Sequence, residues 1–166
     1  MAKAINPSVK ECLTNPIHGL AFGLGSGLAP FAPGTFGTLV AIPFYLLLQP
    51  LSLSVYLGVL LLLIVVSIYI CGESARQLKT HDHSGIVLDE ICGYLVTMIW
   101  VPDSWLWLVL GFLLFRLFDI WKPWPIGLVD RKVQGGLGIV IDDVLAGVFA
   151  AICLQLAILV IGPRLV

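Results

Sequence analysis

Apolar residues in this chain come in long runs rather than in alternation, and each run stops at a short polar or Gly/Pro-rich stretch. Spanning a bilayer core takes about 20 apolar residues in a helix. Residues 53–72 meet that length cleanly, and residues 104–121 and 139–162 come close or exceed it with few charges inside. Residues 86–101 are apolar except for Asp89 and Glu90, and residues 37–49 form a shorter run that ends at Gln49-Pro50. Upstream, residues 19–38 are rich in Gly and hold Pro30 and Pro33, which reads as irregular backbone leading into the first apolar helix. The pattern predicts an all-α polytopic membrane bundle, one domain over residues 1–166. It has four to five transmembrane or re-entrant helices, and the 37–49 run decides between the two numbers.

Composition agrees. Of 166 residues, 59% are hydrophobic and 11% charged, with a mean hydropathy of +1.03. A soluble domain carries about 25% charged residues, so lipid is the better solvent for this surface. The net charge of −1 and the lack of a basic patch argue against a nucleic-acid partner. Cys12, Cys71, Cys92 and Cys153 form no C-x-x-C pair and read as small apolar packing residues. The N-terminus does not read as a signal peptide, since Lys3 and Lys10 are followed by Glu11, Asn15 and Pro16 instead of a compact apolar stretch.

Charge orients the bundle. With the N-terminus inside and the runs alternating, Lys3, Lys10, Arg76, Lys79, Lys122, Arg131 and Lys132 fall in inside segments, and only Arg164 falls outside. Five spans place the C-terminus outside; a re-entrant 37–49 segment leaves four spans and both termini inside. Trp100, Trp105, Trp107, Trp121 and Trp124 lie near proposed helix ends, as interfacial anchors do. In the last helix, Ala146/Ala150 and Gly147/Ala151 are spaced one turn apart for close helix contact.

Five of the ten acids lie just within apolar helices: Asp89, Glu90, Asp119, Asp142 and Asp143. The alternation puts all five near the inner face. Ionisable residues at such positions face a protein interior or a wet cavity, and packed together without a cation they repel. A divalent metal removes the conflict, and oxygen-only ligation favours magnesium, manganese or calcium over zinc. Helix-dipole placement explains Asp89, Glu90, Asp142 and Asp143 one at a time, but not Asp119 near a C-terminal end. Arg116, Asp119 and Lys122 recur every three residues along one side of that end, which supplies an acid for a metal and cations for a phosphate. The Gly25–Thr38 segment, with Gly34, Thr35 and Thr38, offers backbone and hydroxyl donors for an anion, and Gln134–Gly138 raises the same question. Neither is a Walker motif. His81-Asp82-His83 has the spacing of a chelate but reads as a solvated loop.

Three stretches resemble the phosphatidylglycerophosphatase A family: GSGLAPFAPGTFGTL at 25–39, VLDEICGYLVT at 87–97, and FRLFDIWKPWPIGLVDRKVQGGLGIVIDDVLAGV at 115–148. The resemblance implies an all-helical, Mg²⁺-dependent membrane phosphatase that cleaves phosphatidylglycerophosphate to phosphatidylglycerol and phosphate at the cytoplasmic face of a bacterial inner membrane. On that footing Asp89, Asp119, Asp142 and Asp143 supply metal ligands. Glu90 ligates or serves as the base for water, and Arg116 and Lys122 hold the phosphate, with Gly34, Thr35 and Thr38 as further donors. The main rival is an ion-coupled transporter, in which acids would be spread through the membrane depth. A CDP-alcohol phosphatidyl transferase would need a D-G-x-x-A-R signature, which the chain lacks, and a scaffold would not need the acids.

Overall fold

A computed structural model of the protein describes residues 7–80 and 83–161, and all regular structure among them is helical. Four of the helices are short. Ser8 and Glu11 form a capping box that starts α1 (Val9–Thr14), the Ser8 N–H and hydroxyl donating to the Glu11 carboxylate and holding it below the usual carboxylate range. Asn15 caps α2 (Pro16–Ala21), whose first residue is proline, and a kinked 3-10 segment covers Gly23–Leu28. After the longer elements, α7 (Ile126–Lys132) occupies part of the polar stretch that the residue pattern leaves as a loop.

The longer helices are α3 (Pro33–Leu48), α4 (Leu53–Gln77), α5 (Leu88–Thr97), α6 (Trp105–Trp121) and α8 (Gly135–Ile161). Among the described residues, α4 and α8 are long and apolar enough to cross a membrane, at 25 and 27 residues. Only 22% of the most apolar part of each is buried. Core helices of a soluble protein are mostly covered, whereas these leave Leu61, Leu62, Val65, Ile152, Leu156 and Leu159 uncovered. At 16 and 17 residues, α3 and α6 are about 24 and 26 Å long.

The structure departs from the residue pattern in instructive places. The α3 helix begins at Pro33, so the second half of the Gly/Pro motif is helical, because proline at the first position has its φ preset and needs no N–H partner. The run at 86–101 yields a helix of only ten residues, about 15 Å, with nearly every side chain buried. The helix loses two residues at its start, where His83 to Val87 run against the N-terminal segments, and four at its end, where Met98 to Trp100 turn and Trp100 takes a positive φ. The Val87 N–H donates to the Ala21 carbonyl at 2.9 Å. Gly27 and Gly85 cross so closely that a Cβ on Gly27 would meet the Gly85 carbonyl. In α8 the start at Gly135, rather than residue 139, uses the Gly run for packing: a Cβ on Gly136 would strike the Ile68 carbonyl of α4. Trp107 lies in the core at 4% exposure, unlike Trp100, Trp105, Trp121 and Trp124, because it faces the cluster containing Tyr94, Leu95 and Leu154.

The α8 helix packs on α4, α5, α6 and α7, with α3 against α5. Ala146, Gly147 and Ala150 are buried at the α5–α8 contact, where a Cβ on Gly147 would sit 2.3 Å from the Gly93 carbonyl. The Thr97 hydroxyl, which donates to Gly93, also reaches the Gly147 carbonyl. The small-residue spacing therefore serves the predicted close contact. Cys12, Cys71 and Cys92 are buried in the packing. His81 and Asp82 of the His-Asp-His spacing, and Lys3 and Arg164 of the charge argument, lie outside the described residues.

Candidate active site

Alternating chain direction brings five helix segments to one end of the bundle: the start of α3, the start of α5, the end of α6, and α7 with the second and third turns of α8. Asp89 and Glu90 occupy the first turn of α5, whose N-terminal dipole favours negative charge. Asp142 and Asp143 lie two turns inside α8, beyond reach of that effect, so helix-end placement does not account for them.

Asp89, Glu90 and Asp143 each present an oxygen, and the three oxygens lie within 4.8 Å of one another. Asp89 and Asp143 are 7% and 4% exposed. Asp119 lies close enough to Asp143 for the two carboxylates to repel. Arg116 bounds this group: its Nη1 is 2.6 Å from Asp119 Oδ2, 3.9 Å from Glu90 Oε1 and 3.5 Å from Thr38 Oγ1. Gly34 completes the wall, since a Cβ there would fall 2.2 Å from Glu90 Oε1 and 3.0 Å from Arg116 Nη1. Its contribution is room, with backbone against the acids. The Thr38 hydroxyl donates to the Gly34 carbonyl at 2.8 Å and faces Arg116 with its lone pairs. Thr35 is half-buried at the start of α3, and its N–H donates to the Ala32 carbonyl.

Asp142 turns away from this group, as consecutive helical residues must, being about 100° apart around the axis. Its Oδ2 accepts from Lys122 Nζ at 2.5 Å, and Asp130 Oδ1 accepts from the same ammonium at 2.7 Å. Lys122 therefore does not continue the Arg116–Asp119 ladder that the three-residue spacing predicts. It is the C-cap of α6 in the left-handed conformation, φ 44 and ψ 58, and Pro123 follows. That conformation costs a non-glycine residue about 1–2 kcal/mol, held here by the turn and by two carboxylates. Burial works against the Lys122 charge, but the hydrogen bonds to Asp130 and Asp142 outweigh it and keep the ammonium above its ordinary range. Asp130 is the participant that residue spacing passes over. It sits in a polar stretch, one residue before Arg131-Lys132, where an acid reads as surface.

Formal charges within the site itself are lopsided: the six carboxylates of Asp89, Glu90, Asp119, Asp130, Asp142 and Asp143 face two cations, Arg116 and Lys122. Among the described residues, Glu90 Oε2 and Asp142 Oδ1 are buried without a hydrogen-bond partner. Buried carboxylate oxygens left so are costly. An all-oxygen donor set of this kind fits a hard divalent cation such as Mg²⁺.

Fold and site together define an all-helical protein with two helices of membrane-spanning length and a buried acidic centre flanked by cations at one end of the bundle. The chain belongs to the phosphatidylglycerophosphatase A family, whose sequence profile matches residues 19–158. It is 47% identical to Phosphatidylglycerophosphatase A of Escherichia coli strain K12 over 84% of this chain and 81% of that one. It is 44% identical to the Haemophilus influenzae protein of the same name over 89% and 91%. A Bacteroides thetaiotaomicron protein, provisionally named a phosphatidylinositol-3-phosphatase, is 38% identical over 84% and 92%. No solved structure matches the chain.

Proposed function

We propose that the protein is a lipid phosphatase that hydrolyses phosphatidylglycerophosphate to phosphatidylglycerol and inorganic phosphate, with Mg²⁺ as cofactor. The observation that carries this reading is the buried Asp89–Glu90–Asp143 triangle with Arg116 on one side and Lys122 on the other. Asp89, Glu90 and Asp143 would hold the metal, with Asp119 beside Asp143, whereas Asp142, read from the sequence as a further ligand, faces Lys122 and would fix that cation. When bound, Mg²⁺ supplies charge neutralisation at the phosphoryl oxygens. Arg116 and Lys122 orient the phosphate, with the Gly34–Thr38 backbone and Thr35 beside it. Where Glu90 is the base rather than a ligand, its unpartnered Oε2 would take the proton of the attacking water. The ester P–O bond then breaks, and the glycerol oxygen leaves as an alcohol.

The protein is read as a multi-pass protein of a bacterial inner membrane, with the site facing the cytoplasm. Lys10, Arg76, Lys79, Arg131 and Lys132 lie in segments at the acid end, as positive-inside placement requires. On this reading α3, α4, α6 and α8 cross. The α5 helix covers part of the thickness, and the 98–104 turn completes the return. The lipid tails stay in the bilayer while the headgroup enters the site. Clustering at one depth counts against an ion-coupled transporter.

The decisive assay is phosphate release from phosphatidylglycerophosphate by purified protein in detergent, with and without Mg²⁺, for the native chain and for Asp142→Asn and Asp119→Asn. Metal-independent turnover, or full activity in both variants, overturns the site. Phosphatidylinositol 3-phosphate belongs in the same assay because the Bacteroides relative's name carries that lipid. For orientation, a cysteine at Thr80 is expected to react only from the cytoplasmic side; labelling from outside inverts the topology.

A further inference from the structure

We infer that Asp130, on α7, is a positioning residue that aims Lys122 at the substrate phosphate; this rests on the phosphatase reading above. A lysine ammonium has three N–H donors on a flexible four-carbon stem. Two are spent here, one on Asp142 and one on Asp130. Among the described residues the third has no recorded partner.

The two acids differ in a way that gives each a task. The Asp142 side chain is buried at 6% exposure, whereas that of Asp130 is 37% exposed and reaches solvent. With Asp142 alone, the ammonium would fold onto the buried carboxylate and be withdrawn from an incoming anion. A second carboxylate, eight residues away across the Pro123–Pro125 turn, holds it between the two. Fixing two N–H directions fixes the third, because the three are disposed tetrahedrally. The backbone contributes as well: Lys122 leaves α6 in the left-handed conformation, which turns the side chain off the Arg116–Asp119 side and toward α7 and α8. The α7 helix thus brings to the site a single acid whose contact is with the cation and not with the Asp89–Glu90–Asp143 group.

The test is a double-mutant cycle on purified protein with Mg²⁺, read as kcat and KM for phosphatidylglycerophosphate. Asp130→Asn is expected to raise KM by about tenfold with little change in kcat, the pattern of lost binding. Asp130→Glu is expected to recover most of that loss. In a Lys122→Met background, Asp130→Asn is expected to add nothing, because its effect passes through Lys122. Additive losses, an unchanged KM in Asp130→Asn, or a fall confined to kcat would each overturn the inference. Thermal unfolding in detergent runs alongside, and unchanged transitions separate positioning from a folding defect. If the native protein releases no phosphate, the phosphatase reading fails. The same cycle is then run on Mg²⁺-dependent orthovanadate binding by calorimetry, where coupling between Asp130 and Lys122 upholds the aiming role and additivity rejects it.

Discussion

The two ends of the α5–α8 contact are built on opposite principles. At the acid end, Asp89, Glu90 and Asp143 crowd together, and the buried oxygens of Glu90 and Asp142 lack partners. One turn further in, Gly93 lies against Asp143 backbone and Gly147, and from there outward polar groups are matched. The Tyr56 hydroxyl donates to the Leu95 carbonyl at 2.6 Å, Tyr94 to Leu108 at 3.2 Å, and the Gln155 amide to Ile99 and Trp100. The far end holds the helices in register, and the acid end carries repulsion that a stable protein without a task would have removed. The contrast teaches that the register-setting contacts and the reactive groups sit on the same two helices, about one turn apart.

The largest effect that should separate the ends is on turnover. Asp143→Asn is expected to lower phosphate release by about 10²-fold or more while circular dichroism stays native, since it removes a proposed metal ligand and leaves the packing alone. Loss of helicity in that variant would erase the distinction. Next, Gly147→Ala is expected to destabilise the protein by about 1–3 kcal/mol, lowering its unfolding temperature in detergent, because its Cβ has no room against Gly93. A smaller effect has the opposite sign. In EDTA, Asp143→Asn is expected to unfold later than the native chain by about 1 kcal/mol, through relief of carboxylate repulsion, and the gain should vanish when Mg²⁺ is restored. Smallest, Gln155→Leu is expected to cost about 1 kcal/mol or less, with activity unchanged, because its two hydrogen bonds serve only the far end.

Much of this arrangement is legible in the residue pattern, for physical reasons. Apolar runs long enough for a bilayer mark α4, α6 and α8, and acids are so unfavourable inside such runs that Asp89, Glu90, Asp119, Asp142 and Asp143 stand out. Alternating helix direction then brings Asp89, Glu90 and Asp143 within 4.8 Å of one another and sets Asp119 beside them on Arg116, while Asp142 faces Lys122 instead. What the pattern hides is set by tertiary contact. The ten-residue length of α5 reflects tertiary contacts at both ends, the N-terminal segments over His83 to Val87 and the Met98–Trp100 turn whose carbonyls Gln155 holds, which no local signal announces. The Lys122 turn depends on one backbone conformation, and a three-residue spacing extrapolates straight through it. Asp130 is masked by its neighbours Arg131 and Lys132, and only the fold-back of α7 shows what it contacts.

The brevity of α5 also bears on how the protein is made. A segment of ten helical residues with Asp89 and Glu90 in its first turn offers an insertion machinery too little apolar length to recognise, and both acids weigh further against partitioning. If the chain is the multi-pass protein proposed above, such a segment would enter the bilayer only with its packed neighbours, α3 and α4 before it and α8 after it. Biogenesis and active-site assembly are then a single event: the acids come together only when the last helix is in place, so a chain released before α8 is complete has no centre to misuse.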